Sequence, residues 1–183
     1  MSRISLLARE QLNDDQLKIY DELQSGERGR VGLGGPFNAW IRSPGMAGPA
    51  QKLGEFLRFN TSLESRLSEL AIIMAGKHCR CAFEFASHAP KALAGGLDPA
   101  IVEAIRTGQQ PMIEKPDEKA VYAFCNALLT THNADDQTYE DLLKQVGEKG
   151  VMEVTALLGY YTMVSMTLNV FQTPFREGWE APF

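Results

Sequence analysis

Apolar residues recur along this chain every three or four positions, the spacing of helices with one face turned inward. Asn13 is placed to cap a first helix over residues 14–24, with Leu17, Tyr20 and Leu23 on one side. Leu53, Phe56 and Leu57 form an apolar stripe within residues 47–59. Ser62 then caps a helix to about residue 77, in which Leu63, Leu67, Leu70 and Met74 are in register. The next helix starts near Cys79 or Cys81 and stops at Gly95-Gly96; Pro90 inside it predicts a kink or a split. Asp98-Pro99 joins a cap to a first-turn proline and opens a helix to about Arg106. Residues 117–131 and 135–149 read as two more, the second closed by Gly150, and residues 151–171 as a long, largely apolar helix buried on most sides. No stretch alternates as a strand does. The predicted fold class is all-α, with seven or eight helices.

The glycine-rich run over residues 26–36 follows no predicted strand, so it reads as a connection or lid rather than a phosphate-binding loop. A faint internal echo pairs Glu69, which opens one apolar helix, with Glu153, which opens another.

Bulk properties narrow the function. A chain of 183 residues makes one ordinary domain, or one with a short extension. It is 44% hydrophobic and 22% charged, the balance of a soluble globular protein. A formal charge of -5 without a basic cluster argues against a nucleic-acid partner. No run approaches about 18 consecutive apolar residues, and the N-terminal apolar stretch is too short for a signal peptide, so neither a membrane span nor secretion is expected. Three cysteines suit reduced thiols in a cytoplasm.

The segment from His78 to His88 carries the candidate chemistry. On a helix, Cys81, Glu84 and His88 fall within about 60° of one another. A carboxylate four residues before an imidazole orients the ring and stabilises its cation, which makes Glu84 and His88 a candidate acid–base pair; the alternative is a surface ion pair. Arg80 can compete for Glu84. Cys79 and Cys81 would point about 200° apart on a helix, so a disulfide between them requires unwinding. At a helix N-terminus Cys81 could have a lowered pKa. His78, Cys79, Cys81 and His88 lack the usual spacing of a zinc site. Cys125 reads as a buried, inert thiol and His132 as a loop residue.

Ser65-Arg-Leu-Ser-Glu-Leu-Ala-Ile-Ile-Met-Ala-Gly-Lys-His, followed by Cys81-Ala-Phe-Glu-Phe-Ala-Ser-His-Ala-Pro-Lys-Ala-Leu-Ala-Gly-Gly-Leu, resembles the carboxymuconolactone decarboxylase family, which includes the alkylhydroperoxidase D proteins. Gly-Pro-Phe-Asn-Ala-Trp-Ile-Arg-Ser-Pro upstream and Gly-Tyr-Tyr-Thr-Met-Val-Ser-Met-Thr-Leu-Asn downstream extend the resemblance over residues 35–175. It implies a helical domain there, preceded by a helix and glycine-rich loop (1–34) and followed by a tail (176–183). It also implies a homo-oligomer such as a trimer or hexamer, working without metal or organic cofactor. The alkylhydroperoxidase pattern of Glu, Cys, Cys and His is matched at Glu69, Cys81 and His88, but Glu84 stands where the second cysteine belongs. The resemblance therefore implies a decarboxylase-like enzyme acting on a small carboxylated lactone or ring acid. His88 is the expected general acid, Glu84 its orienting group and Glu69 a relay or positioning carboxylate; Glu69 paired with Arg66 in a purely structural role is the alternative. A substrate carboxylate needs a cation, for which Arg42, Arg58, Arg66 and Lys77 are candidates, and Tyr160 and Tyr161 are candidate lining residues. Trp40 and Phe37 read as a wall or an interface. Two other functions stay open: a thiol peroxidase using Cys81, and a non-catalytic helical oligomer that binds a small ligand.

Overall fold

In a computed structural model, which describes residues 2–29 and 31–183, every regular element is helical: a 3-10 turn at Arg9–Gln11 and then α1 (Asp14–Ser25), α2 (Phe37–Trp40), α3 (Pro44–Phe59), α4 (Ser65–His78), α5 (Ala82–Ala94), α6 (Pro99–Thr107), α7 (Pro116–Thr131) and α8 (Asp136–Phe171). Arg30, within the glycine-rich run, lies outside the described residues. Local sequence explains most boundaries. Asn13 accepts the Gln16 N–H at 3.0 Å and Gln16 returns a bond to the Asn13 N–H, closing a capping box on α1. Asp98 accepts the Ala100 N–H at 2.7 Å, Pro99 follows as first helical residue, and Gly108 closes α6 in the left-handed region.

Three boundaries differ from the sequence expectation. Ser62 does not cap α4: Glu64 takes the cap position, and the Ser62 N–H and hydroxyl both donate to Glu153 Oε2, at 2.8 and 2.6 Å. Pro90 does not split α5, which loses only the bond a residue-90 N–H would give the Ala86 carbonyl. The last two expected helices meet at Gly147, not Gly150. Gly147 has φ 68° and ψ 174°, a conformation open essentially to glycine alone, whereas Gly150 lies in the helix where a Cβ would come within 2.5 Å of Val146.

The chain divides into two compact units. The first comprises the residues up to Asn60 with Thr167–Pro174. In it α3 packs on α1 and α2, Phe37 and Trp40 meet edge to face, and the Trp40 indole donates to Thr167 Oγ1 at 3.1 Å.

The second unit comprises Thr61–Met166 and Phe175–Phe183. Here α4 packs on α5, α6 and α7 and is buried almost throughout, including Leu70, Ala71, Ile72 and Ile73. Val154, Leu157, Leu158 and Val164 of α8 are likewise buried. By length and composition α8 could cross a membrane, with mean hydropathy 1.3 over its most apolar window. Its break at Gly147 and this buried face match the core helix of a globular unit, whereas the sequence alone predicts no such candidate. The C-terminal tail is not loose: Phe175 and Trp179 pack on Phe83, Phe183 on Phe85, and Arg106 donates to the Pro182 carbonyl at 2.7 Å.

Candidate active site

α4 and α5 pack against each other in the second unit and build the site between them. Gly76 permits their approach, since a Cβ there would stand 3.3 Å from the Phe85 nitrogen and 3.4 Å from Glu84 Cβ. His88, on the second turn of α5, is 4% exposed. Its Nδ1 lies 2.6 Å from Glu69 Oε2 on α4, and its Nε2 3.1 Å from Glu84 Oε1, one turn earlier on α5. Both carboxylates are buried. The edge of the His88 ring meets Tyr161 with centroids 5.2 Å apart, and Tyr161 in turn packs against Tyr160.

Burial alone would push the His88 imidazolium down, because the charged form loses water. The charge of Glu84, and the hydrogen bonds and charge of both carboxylates, outweigh that cost, and the pKa is raised above histidine's ordinary value. The arrangement is an imidazole clamped between two carboxylates, which favour its charged form, and walled by an aromatic ring. It can hold a proton and deliver it.

Cys81 is at the N-cap of α5, not inside it, so the helical face foreseen for three residues holds for Glu84 and His88 only. Its sulfur is fully buried, and burial pushes the thiol up to about 11. The Glu84 N–H on the sulfur opposes this, and the Glu84 carboxylate adds to it. The lowered pKa expected of a helix N-terminus is thus reversed, because desolvation exceeds what one N–H returns. Cys79, half-buried at the C-cap of α4, is also raised by burial, against the pull of the Thr162 and Ser165 hydroxyls. Cys125 is buried and held well above the ordinary thiol value.

The cations proposed for a substrate carboxylate each have a partner within the protein. Arg66 spends its three nitrogens on Glu64 at 3.2 Å, Glu118 at 3.0 Å and Asp117. Arg42 donates to the Ser5 carbonyl at 2.8 Å and to Asn38. Lys77 donates to the Arg106 carbonyl at 2.6 Å with its ammonium 4.2 Å from the Phe183 ring centroid, and Arg58 lies over Phe59. The structure thus brings together Glu69, Glu84 and His88 with Tyr161, and sets Cys81 beside Glu84. Thr162 and Ser165 are not legible in the sequence, where two small polar residues in an apolar helix carry no signal until a partner is known. Among the described residues no cluster of His, Cys, Asp and Glu is arranged as a metal site.

Neither protein-family models nor curated proteins match the sequence. Solved structures do match the fold. An uncharacterised peroxidase-related protein with an alkylhydroperoxidase D core, from Ralstonia eutropha JMP134, is 13% identical with a TM-score of 0.76, over 96% of this chain and 93% of its own. The debrominase Bmp8 is 14% identical with a TM-score of 0.73, over 100% of this chain and 95% of its own; a cysteine-to-alanine variant of it has been solved with 2,3,4-tribromopyrrole. An uncharacterised peroxidase-related protein from Silicibacter sp. TM1040 is 11% identical with a TM-score of 0.73, over 96% and 92%. The chain therefore has the alkylhydroperoxidase D-like fold, and at these identities the likeness is one of fold.

Proposed function

We propose that this protein is a cofactor-independent enzyme of proton transfer that acts on a small carboxylated lactone or ring acid by decarboxylation or a closely related step. The observation that carries the reading is the His88 imidazole held between Glu69 and Glu84 in a buried site. When a carboxylate leaves as carbon dioxide, its bonding electron pair stays on carbon and must receive a proton. His88, whose charged form the two carboxylates favour, supplies that proton from Nε2 by way of Glu84, the carboxylate it faces. Glu69 keeps Nδ1 protonated and the ring oriented, and solvent returns the proton after release. A positioned acid of this kind contributes roughly 10²–10⁴-fold in rate.

Carbon dioxide release from carboxylated lactones, 4-carboxymuconolactone first, tests the reading. His88→Gln should lower turnover by about 10²-fold or more, while Cys81→Ser keeps most of it. A variant series in which Cys81→Ser is dead and His88→Gln active would overturn it.

A second reading, thiol-dependent peroxidase or reductive chemistry, is favoured by the Glu84 N–H on the Cys81 sulfur and by the peroxidase-related and debrominase neighbours. The complete burial of Cys81 counts against it. We also propose that the chain works as a homo-oligomer, supported by the exposed methionines Met152, Met163 and Met166 on α8.

A further inference from the structure

We infer that a cleft between α4, α6 and α7 binds a small ring carboxylic acid, its ring on an apolar floor and its carboxylate on Lys77. This site is separate from the one around His88 and does not depend on the proton chemistry proposed there.

The cleft lies within the second unit and has a volume of about 170 Å³. Roughly 150 Å³ is enough for benzene, so one six-membered ring fits. Gly76 of α4 turns towards α5, where its neighbours are Glu84 and Phe85. Met74 and His78, two residues to either side of Gly76, project about 160° away from it around the helix and line the cleft. The cleft is therefore on the side of α4 turned away from α5 and His88.

Its lining divides by chemistry. Met74 and Ile105 are buried and, with Leu129, make a floor on which an apolar ring sheds its water. Around that floor stand a cation, a phenol and two amides: Lys77, Tyr122, Gln109 and Asn126. An apolar surface with a few polar groups converging on it is the usual make-up of a small-molecule site. No aspartate or glutamate is among the described residues of the lining, although the whole chain carries 23 acidic residues against 18 basic ones. The local charge is thus opposite to the protein's net charge of -5, and it selects an anion.

Lys77 has the capacity for such a partner. Its ammonium donates to the Arg106 carbonyl at 2.6 Å and lies 4.2 Å from the Phe183 ring centroid, and neither contact carries a charge. An ammonium has three donors, of which the carbonyl takes one. A carboxylate in the cleft gives this cation a counter-ion that a carbonyl and a ring do not supply. Burial raises the Tyr122 hydroxyl above its ordinary value, so the phenol stays protonated and remains a donor beside the ring.

Titration of the full chain with benzoate, followed by nitrogen-15 NMR, tests the assignment. Amide shifts should centre on Gly108, Gln109 and Asn126. Cyclohexanecarboxylate should reproduce them, whereas acetate, with the charge but no ring, should not. Benzamide, with the ring but no charge, should bind at least about tenfold more weakly than benzoate, and Lys77→Gln should weaken benzoate binding by as much. Leu129→Trp, which fills the cleft and leaves Lys77 in place, should abolish the shifts, and His88→Gln should bind as the wild type does. Shifts confined to Glu69, Glu84 and His88 would overturn the cleft site while agreeing with the proton-transfer reading. Absence of any shift, or benzamide binding as tightly as benzoate, would overturn it as well, with carbon dioxide release still judging His88 separately.

Discussion

His88 sits in a site where desolvation and attraction pull its protonation in opposite directions, and two carboxylates win. The imidazolium should therefore persist in nitrogen-15 NMR titrations to a pH above histidine's ordinary range. The sign of the stability effect follows. Between the unfolded and the raised folded pKa, the native state binds the extra proton, so this contribution is complete below the ordinary value near 6.5 and is lost as pH rises through the folded one. Denaturation midpoints of wild type should exceed those of His88→Gln most at low pH, and the gap should narrow in alkali. Arg66 presents the opposite assignment, since its guanidinium neutralises Glu118, which is only 2% exposed. Arg66→Ala should cost about 1.5–3 kcal/mol in urea unfolding by removing one of that buried carboxylate's two cations, Lys115 at 2.9 Å being the other. An increase in KM at unchanged stability would instead restore Arg66 as the substrate's cation. The Glu84–His88 contact was legible at this scale because i,i+4 neighbours meet on any helix. The Glu69 contact joins two helices, and only the resemblance pointed to it.

At the scale of elements, breaks matter as much as helices. Gly147 lets α8 change course at a backbone conformation barred to side chains, with open space around it. Gly147→Ala should therefore destabilise by about 1–3 kcal/mol through backbone strain alone, measurable by chemical denaturation. Sequence pattern put that break three residues late, because a glycine marks freedom and not its use: Gly150 serves tight packing on Val146 instead. The shifted start of α4 has a comparable cause. Ser62 has a buried carboxylate to satisfy, and Glu153 claims both its N–H and its hydroxyl. Ser62→Ala should lower stability by about 1–3 kcal/mol by depriving Glu153 of a bond, and calorimetry would register it. The cysteines stand in such a break as well. Arg80 between them, at φ 50°, leaves the right-handed helix that periodicity assumes.

For the molecule as a whole, the tail is the clearest case of sequence-distant closure. Phe175, Trp179 and Phe183 cover Phe83 and Phe85, the two phenylalanines that flank Glu84. Deleting residues 175–183 should cost at least about 2 kcal/mol by exposing these rings, and should lower activity as well by loosening the first turns of α5. A truncated protein with unchanged melting temperature and turnover would refute that role. Light scattering should report a mass above that of one chain of 20.2 kDa if the exposed methionines of α8 are a subunit contact.

By itself, the sequence determined the helical class, the caps at Asn13 and Asp98, and the pairing of Glu84 with His88. Each depends on neighbours within one or two turns, where spacing alone sets geometry. Tertiary structure decided what lies between helices: Glu69 on His88, Arg66 drawn to α7, Ser165 beside two thiols, and a Cys81 whose burial overrides its place at a helix N-terminus. These depend on desolvation and on partners remote in the chain, which are properties of packing that local periodicity does not contain.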